Sequence, residues 1–446
     1  MTTLDRSPQT ETPPEPRGPK KRRTAPMFGR PLLRSSYEAD LALFPSVTQR
    51  VMITLFLLFM VAIPFFAEGT IGESGSLPGP NFLASSDWLR LLITLGIFSI
   101  GALGLNILTG LAGQVSLGHA FFMAVGAYTA AVFGAPQGPL WGLGLPIWVW
   151  LPLAGIVPAL IGILIAPTAI RVRGLYLAIV TLGLVFIGEY VWRNLDFITG
   201  GSQSGRTFPA FEFRLWKEEE PLMTLTQGGT WFGVFNVSSN AKTYLFVLVL
   251  VVLLTLIAKN LQRTRSGRAF MSIRDRDVAA EVMGVDDFRT KTVAFAISSF
   301  YAGIAGALLA SFIGRTIPEQ WNLLLSVEFI AIILIGGIGT VSGTLMGSAF
   351  VILLPRLVED FTGLMQRMVA EGGVWATILD PLVSTGSGDW GLVNTSAGVA
   401  PGLSTDQLNL VIYGALIIVF LIFEPLGLYG IWLRIRNYWK GWPFTY

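Results

Sequence analysis

Apolar residues in this chain come in long, nearly unbroken runs, not in the alternating or three-and-four spacing of a soluble fold. The runs lie near residues 49–67, 89–110, 115–134, 147–169, 174–192, 243–258, 291–313, 325–338, 341–355 and 408–424. Most of them approach the roughly 20 residues that one helical bilayer crossing needs. Ten runs predict an all-α fold, a polytopic membrane helix bundle with both chain ends on one side. The run at 115–134 reads equally as a re-entrant helix, and the pair around "GGIGTVSG" as one broken element. Residues 1–45 read as a Pro-rich, basic, disordered tail without a secretory cleavage pattern. The membrane domain then covers 46–432, with large loops at 193–242, 259–291 and 356–407, and a second short tail at 433–446.

Charge tests the count, because basic residues gather on cytoplasmic loops. Loop 68–88 carries Glu68, Glu73 and Asp87 with no Lys or Arg, and loop 135–146 carries no charge, so both fit outside. Arg171 and Arg173 fit inside, as do Lys259, Arg263, Arg265, Arg268, Arg274, Arg276, Arg289 and Lys291. The more acidic stretch 356–407 falls outside. Both termini carry basic clusters, "RGPKKRRTAPMFGRPLLR" and the segment with Arg434, Arg436 and Lys440. They predict cytoplasmic ends that set topology or touch the lipid surface, in preference to binding nucleic acid.

Composition narrows the chemistry. The chain has no Cys and one His, which removes disulfides, Cys-based zinc sites and thiol nucleophiles. No catalytic residue and no metal site is predicted. The stretch "GGSQSGRT" at 200–207 copies a phosphate-loop spacing with Arg206 in place of Lys. It follows an apolar run, precedes Pro209 and falls on an outer loop, so it reads as a Gly/Ser connector, leaving the chain without an ATP site of its own.

Polar groups inside apolar runs mark a pathway or a helix-to-helix hydrogen bond. "GLAGQVSLGHA" sets Gln114, Ser116 and His119 in such a run. With Ser342 they are candidates for a translocation path, packing being the other reading for His119. Glu189, Glu328 and Glu424 fall near run ends, which disfavours a proton relay. Gly110, Gly113, Gly336, Gly337 and Gly339 are candidate helix breaks. Gly110-x-x-Gly113-x-Val115-Ser116 echoes Gly336-x-x-Gly339-x-Val341-Ser342, as an internal repeat would.

One segment breaks the apolar pattern. In "SIRDRDVAAEVMGVDDFR", residues 272–289, eight of eighteen residues are charged, against 13% for the chain. Ser272-x-x-Asp275 fits a helix start and Gly284 a stop. The predicted helix puts Arg274, Asp277 and Glu281 on one face, and Val278 with Val282 and Ala279 with Met283 on another. Pattern alone leaves two readings open, a solvated or lipid-surface connector and a helix that docks on a soluble partner.

The run "SGRAFMSIRDRDVAAEVMGVD" resembles the cytoplasmic loop of permease subunits of ATP-binding cassette importers of the branched-chain amino acid type. Ala279, Ala280 and Gly284 match the Glu-Ala-Ala, three residues, Gly pattern of such loops, and Val278 stands where many importers have Glu. "GLAGQVSLGHAFFMAVGAYTAA", "RGLYLAIVTLG", "TGGSQSG", "LLSVEFIAIILIGGIGTVSGTLMGSAF" and "YGALIIVFLIFEPLGLYGIW" extend the resemblance over most of 90–432. It implies a multi-pass protein of the bacterial inner membrane that is not itself an enzyme. The implied partners are a second related permease, two ATPase subunits that bind ATP and Mg, and an outer solute-binding protein. It also implies a coupling helix whose partner contacts are Arg274, Asp275, Arg276, Asp277 and Glu281, with Val278 and Val282 filling a groove. Branched aliphatic amino acids are the implied cargo, with urea or short amides as alternatives. A secondary transporter or channel remains the rival class.

Overall fold

The computed structural model describes residues 47–67, 70, 79–136, 138, 140–171, 175–214, 223–231, 235–370, 383–384, 393–394, 403–424 and 426–441. The N-terminal tail, Glu68, Glu73, Arg173, most of the stretch 371–402 and the last five residues lie outside the described residues.

The chain folds into helices α1 (Val47–Ala62), α2 (Ser86–Leu105), α3 (His119–Gly134), α4 (Ile147–Arg171), α5 (Leu175–Asn194), α6 (Ser239–Leu261), α7 (Arg265–Val282), α8 (Asp287–Ile313), α9 (Leu323–Gly336), α10 (Val341–Ala370), α11 (Thr405–Phe423) and α12 (Gly427–Gly441). Side chains just ahead of several helices satisfy their first free N–H groups. Ser85 accepts from Trp88 N, Ser238 from Ala241 N, Asp286 from Arg289 N and Asn322 from Leu325 N.

Among the described residues, eight helical stretches are long and apolar enough to cross a membrane, from Val47–Phe66 to Val341–Met365, and α3 and part of α11 are shorter apolar helices. These ten elements correspond to the ten apolar runs. α3 begins at His119, four residues later than the run that predicts it. A π-helical turn at Asn106–Leu111 and Gly113 at φ +70° hold the preceding segment out of helix. At about 1.5 Å per residue, the 16 residues of α3 are short for a bilayer, and neighbouring helices bury most of them.

α8 is the centre of the bundle and packs on α4, α3 and α2, while α9 and α10 pack on each other and on α2. The α8 contacts are backbone to backbone. A Cβ on Gly306 would run into the Met123 carbonyl, and one on Gly303 into the Ala154 carbonyl. This is the close approach that small residues permit between membrane helices. Gly306→Ala is therefore expected to cost roughly 1–3 kcal/mol by overpacking, read as a lower unfolding temperature of the detergent-purified protein. Gly363→Ala, where the added methyl meets nothing within 4 Å, is the control that should leave it unchanged.

Cross-chain contacts sort the turns into two ends. At one end meet the segments around 106–118, 262–290, 337–340 and 426: Leu117 N donates to Thr181 Oγ1 at 2.9 Å, Gln262 Nε2 to the Gly339 carbonyl at 3.4 Å, and Gly337 lies against Leu426. At the other end, strands Arg206–Thr207 and Arg315–Thr316 pair antiparallel, Arg193 bridges to Glu319 at 3.3 Å, and Trp148 Nε1 donates to the Arg214 carbonyl at 3.1 Å. The ten apolar helices therefore alternate in direction. The first end carries Arg263, Arg265, Arg268, Arg274, Arg276 and Arg289 and is called the basic end below.

Candidate coupling site at the basic end

α7 starts earlier than the sequence pattern predicts, and it is broken. Thr264 caps it, accepting from Gly267 N at 3.3 Å. Ser272 begins nothing; its hydroxyl donates back to the Ala269 carbonyl at 2.8 Å inside the helix. The helical path fails at Arg276, whose φ of −156° and ψ of 104° are extended. A short second part follows, with Asp277 Oδ1 accepting from Val278 N at 2.9 Å, and it ends before Gly284 at φ +88°. The single face drawn through Arg274, Asp277 and Glu281 is corrected accordingly, because the break at Arg276 separates Arg274 from the other two.

The two parts have different surroundings. Phe270 and Ile273 anchor the first part in the chain's own core. In the second part only Ala280 is buried, while Val278 is 58%, Val282 83% and Met283 83% exposed, and Phe288 just beyond is 54% exposed. Asp275, Arg276, Ala279 and Glu281 are exposed around this apolar patch. Its footing is stiff, since Lys291 pairs with Asp287 at 2.7 Å with both side chains buried at the start of α8.

Behind the patch, the predicted helix breaks come together. Arg274 Nη1 donates to the Gly110 carbonyl. Asn106, 1% exposed, accepts from Gly339 N at 2.8 Å and donates to the Thr340 carbonyl at 3.3 Å. Gly113, Gly337 and Gly339 all have positive φ, which glycine alone adopts readily. Gly110 and Gly336 are needed for space: a Cβ on Gly110 would lie 2.6 Å from Gly339 N, and one on Gly336 would run into the Gly343 carbonyl.

The path candidates differ in their surroundings. His119 is buried, with its ring 4.8 Å from that of Phe329 and Nε2 without a hydrogen-bond partner. Ser116 is buried too, accepting from Gly118 N at 3.2 Å. Gln114 is half-buried, donating to the Ala112 carbonyl at 3.3 Å, and Ser342 is exposed.

Residues 88–421 match the family described as branched-chain amino acid transport system / permease component. The chain belongs to that family. The permease is 33% identical over 305 residues to the high-affinity branched-chain amino acid transport system permease protein LivM of Salmonella typhimurium, covering 67% of this chain and 69% of that protein. It is 25% identical over 271 residues to the probable branched-chain amino acid transport permease protein LivH of Methanocaldococcus jannaschii, covering 58% and 76%. A shorter likeness, 37% over 118 residues and 25% and 34% of the two chains, links it to the autoinducer 2 import system permease protein LsrC of an Enterobacter strain. No solved structure matches.

Three polar residues of the permease take their roles from the structure. Asn106 reads as an ordinary polar residue at a run end, and only its partners 233 and 234 positions away give it meaning. Arg206 is 1% exposed and donates to the Ala131 carbonyl at 2.8 Å and to the Ile198 and Trp141 carbonyls. Glu328 is not at a span end: the span is Pro318–Gly336 because a turn at Pro318–Gln320 and the Asn322 cap extend α9 outward. That places it about 12 Å along the axis from Gly336, half-buried and without a hydrogen bond or ion pair among the described residues. Glu189 and Glu424, in contrast, are paired with Arg193 and Arg434.

Proposed function

We propose that the permease is the membrane-spanning subunit of an ATP-driven importer for branched aliphatic amino acids, with the basic end and both termini in the cytoplasm of a bacterium. The observation that carries this reading is the exposed apolar patch of Val278, Val282, Met283 and Phe288, displayed among charges on a segment anchored in the bundle. Valine and methionine exposed to this degree beside a rigid footing fit a groove on a soluble protein. The partners are two ATPase subunits, which hold ATP and Mg, a second related permease, and a solute-binding protein outside. The cargo class follows the names of the relatives that cover two thirds of this chain.

Along the route, Glu328 supplies a carboxylate that the chain itself does not neutralise. A charge at that depth is costly in lipid, and the ammonium of a passing amino acid complements it. Vesicles containing the permease, its ATPase subunits and the second permease, supplied with the binding protein, should accumulate leucine only with ATP inside the cytoplasmic face. Glu328→Gln should raise the leucine concentration needed for half-maximal uptake about tenfold, the loss of roughly one charged contact. Uptake by the permease alone on an ion gradient would instead mark a secondary transporter, and competition by urea but not by valine would replace the cargo.

A further inference from the structure

We propose that Arg274 is a positioning residue inside the permease, a latch that ties the coupling segment to both glycine breaks, and does not bind the ATPase subunit. The inference rests on the reading above that the patch beyond it docks on that subunit.

The geometry is specific. Arg274 lies between the two echoing stretches, and at the same place in each. A Cβ on Gly113 would lie 3.1 Å from Arg274 Cα, and a Cβ on Gly339 would lie 2.6 Å from its Nη1. These are the second glycines of the two G-x-x-G units, at φ +70° and +81°. A side chain at Gly113 would press on the arginine's backbone, and one at Gly339 would displace the tip of its half-open side chain. Its guanidinium binds the Gly110 carbonyl at the end of α2, and Asn106 on the same turn holds Gly339 N and the Thr340 carbonyl beyond α9. One hydrogen-bonded chain therefore runs from the coupling segment through the end of α2 to the end of α9. The next residue but one, Arg276, is extended, so a pull on the exposed turn reaches the core-anchored half of α7 at Arg274 first. Such a pull changes one contact, Arg274 to Gly110, and gives the breaks a held and a released arrangement, the differential contact a ligand-driven switch requires.

Hydrogen exchange on the full-length permease, purified alone, tests the latch without any partner. Arg274→Ala should speed exchange of the amides at 106–114 and 337–341 by about tenfold or more, the loss of a charged hydrogen bond. Arg274→Lys should recover part of the protection, and Val282→Asp should not disturb it. Unchanged exchange at either break overturns the proposal. In the assembled importer, Arg274→Ala should still co-purify with the ATPase subunits and turn over ATP, while leucine imported per ATP falls about tenfold, within the span of couplings of this kind. Loss of the ATPase subunits from Arg274→Ala would make it a partner contact and also overturn the proposal. Failure of the docking reading looks different: Val282→Asp would then keep both its ATPase subunits and its uptake, with the exchange result standing.

Discussion

Val282→Asp is expected to abolish ATP-driven uptake while leaving the permease folded. The side chain is 83% exposed and lies beyond the break at Arg276, on the part of α7 that only Ala280 anchors. A carboxylate there costs the isolated chain almost nothing. In a docked complex the same group is buried in an apolar groove with no cation provided for it, a penalty of a few kcal/mol. That weakens binding of the ATPase subunit by on the order of a hundredfold or more. The measurements are co-purification of the ATPase subunits, uptake into vesicles, and the unfolding temperature of the permease alone. Val282→Leu, which keeps the apolar contact, should behave as the parent. Full uptake by Val282→Asp at normal protein levels would remove the patch from the mechanism.

Arg206→Ala should have the largest effect on the bundle itself. This guanidinium ties three carbonyls, from the end of α3, from the loop after it and from the turn after α5. It also begins the strand that pairs with Arg315–Thr316 after α8. Burial pulls its pKa below the ordinary arginine value, so its place depends on the hydrogen bonds that compensate it. Removing it takes a donor from three carbonyls, of which that of Ala131 keeps the Ala135 N–H, and opens a void. The loss is about 2–4 kcal/mol, read as a marked fall in unfolding temperature and in the amount of protein recovered from membranes. Arg206→Lys, with a single ammonium in place of a planar fork, should fall between the two. An unfolding temperature equal to the parent's would show that water replaces the arginine without penalty. The "GGSQSGRT" stretch thus has its arginine committed to backbone carbonyls, a structural use of the residue that occupies the lysine position of a phosphate loop.

The capping signals around α7 show where local reading fails. Ser272-x-x-Asp275 matches a helix start better than Thr264-x-x-Gly267 does, yet Thr264 is the cap in use. Such signals are worth about 1 kcal/mol each, and the burial of Phe270 and Ile273 outweighs that difference by fixing the helix upstream. The extended residue Arg276 carries no sequence mark at all, since neither Gly nor Pro is needed for φ near −156°. Glu328 lies deeper than its run suggests for a related reason: hydropathy starts the run at 325, while the polar turn at Pro318–Gln320 belongs to the same rod.

Length of apolar runs and the bias of basic residues were enough to give the ten apolar helices and their alternating direction, though not the helix Gly427–Gly441 in what reads as a tail, because each depends on residues adjacent in the chain. The turns after α2 and α9 carry Gly113, Gly337 and Gly339 at positive φ. Which polar side chains meet at those breaks was decided by the folded bundle alone. Arg274 reaches Gly110 across 164 positions and Asn106 reaches Gly339 across 233. A contact between segments so far apart leaves no period in the sequence, and a single hydrogen-bonding side chain looks the same beforehand whether it will face water, a partner or a carbonyl of its own chain.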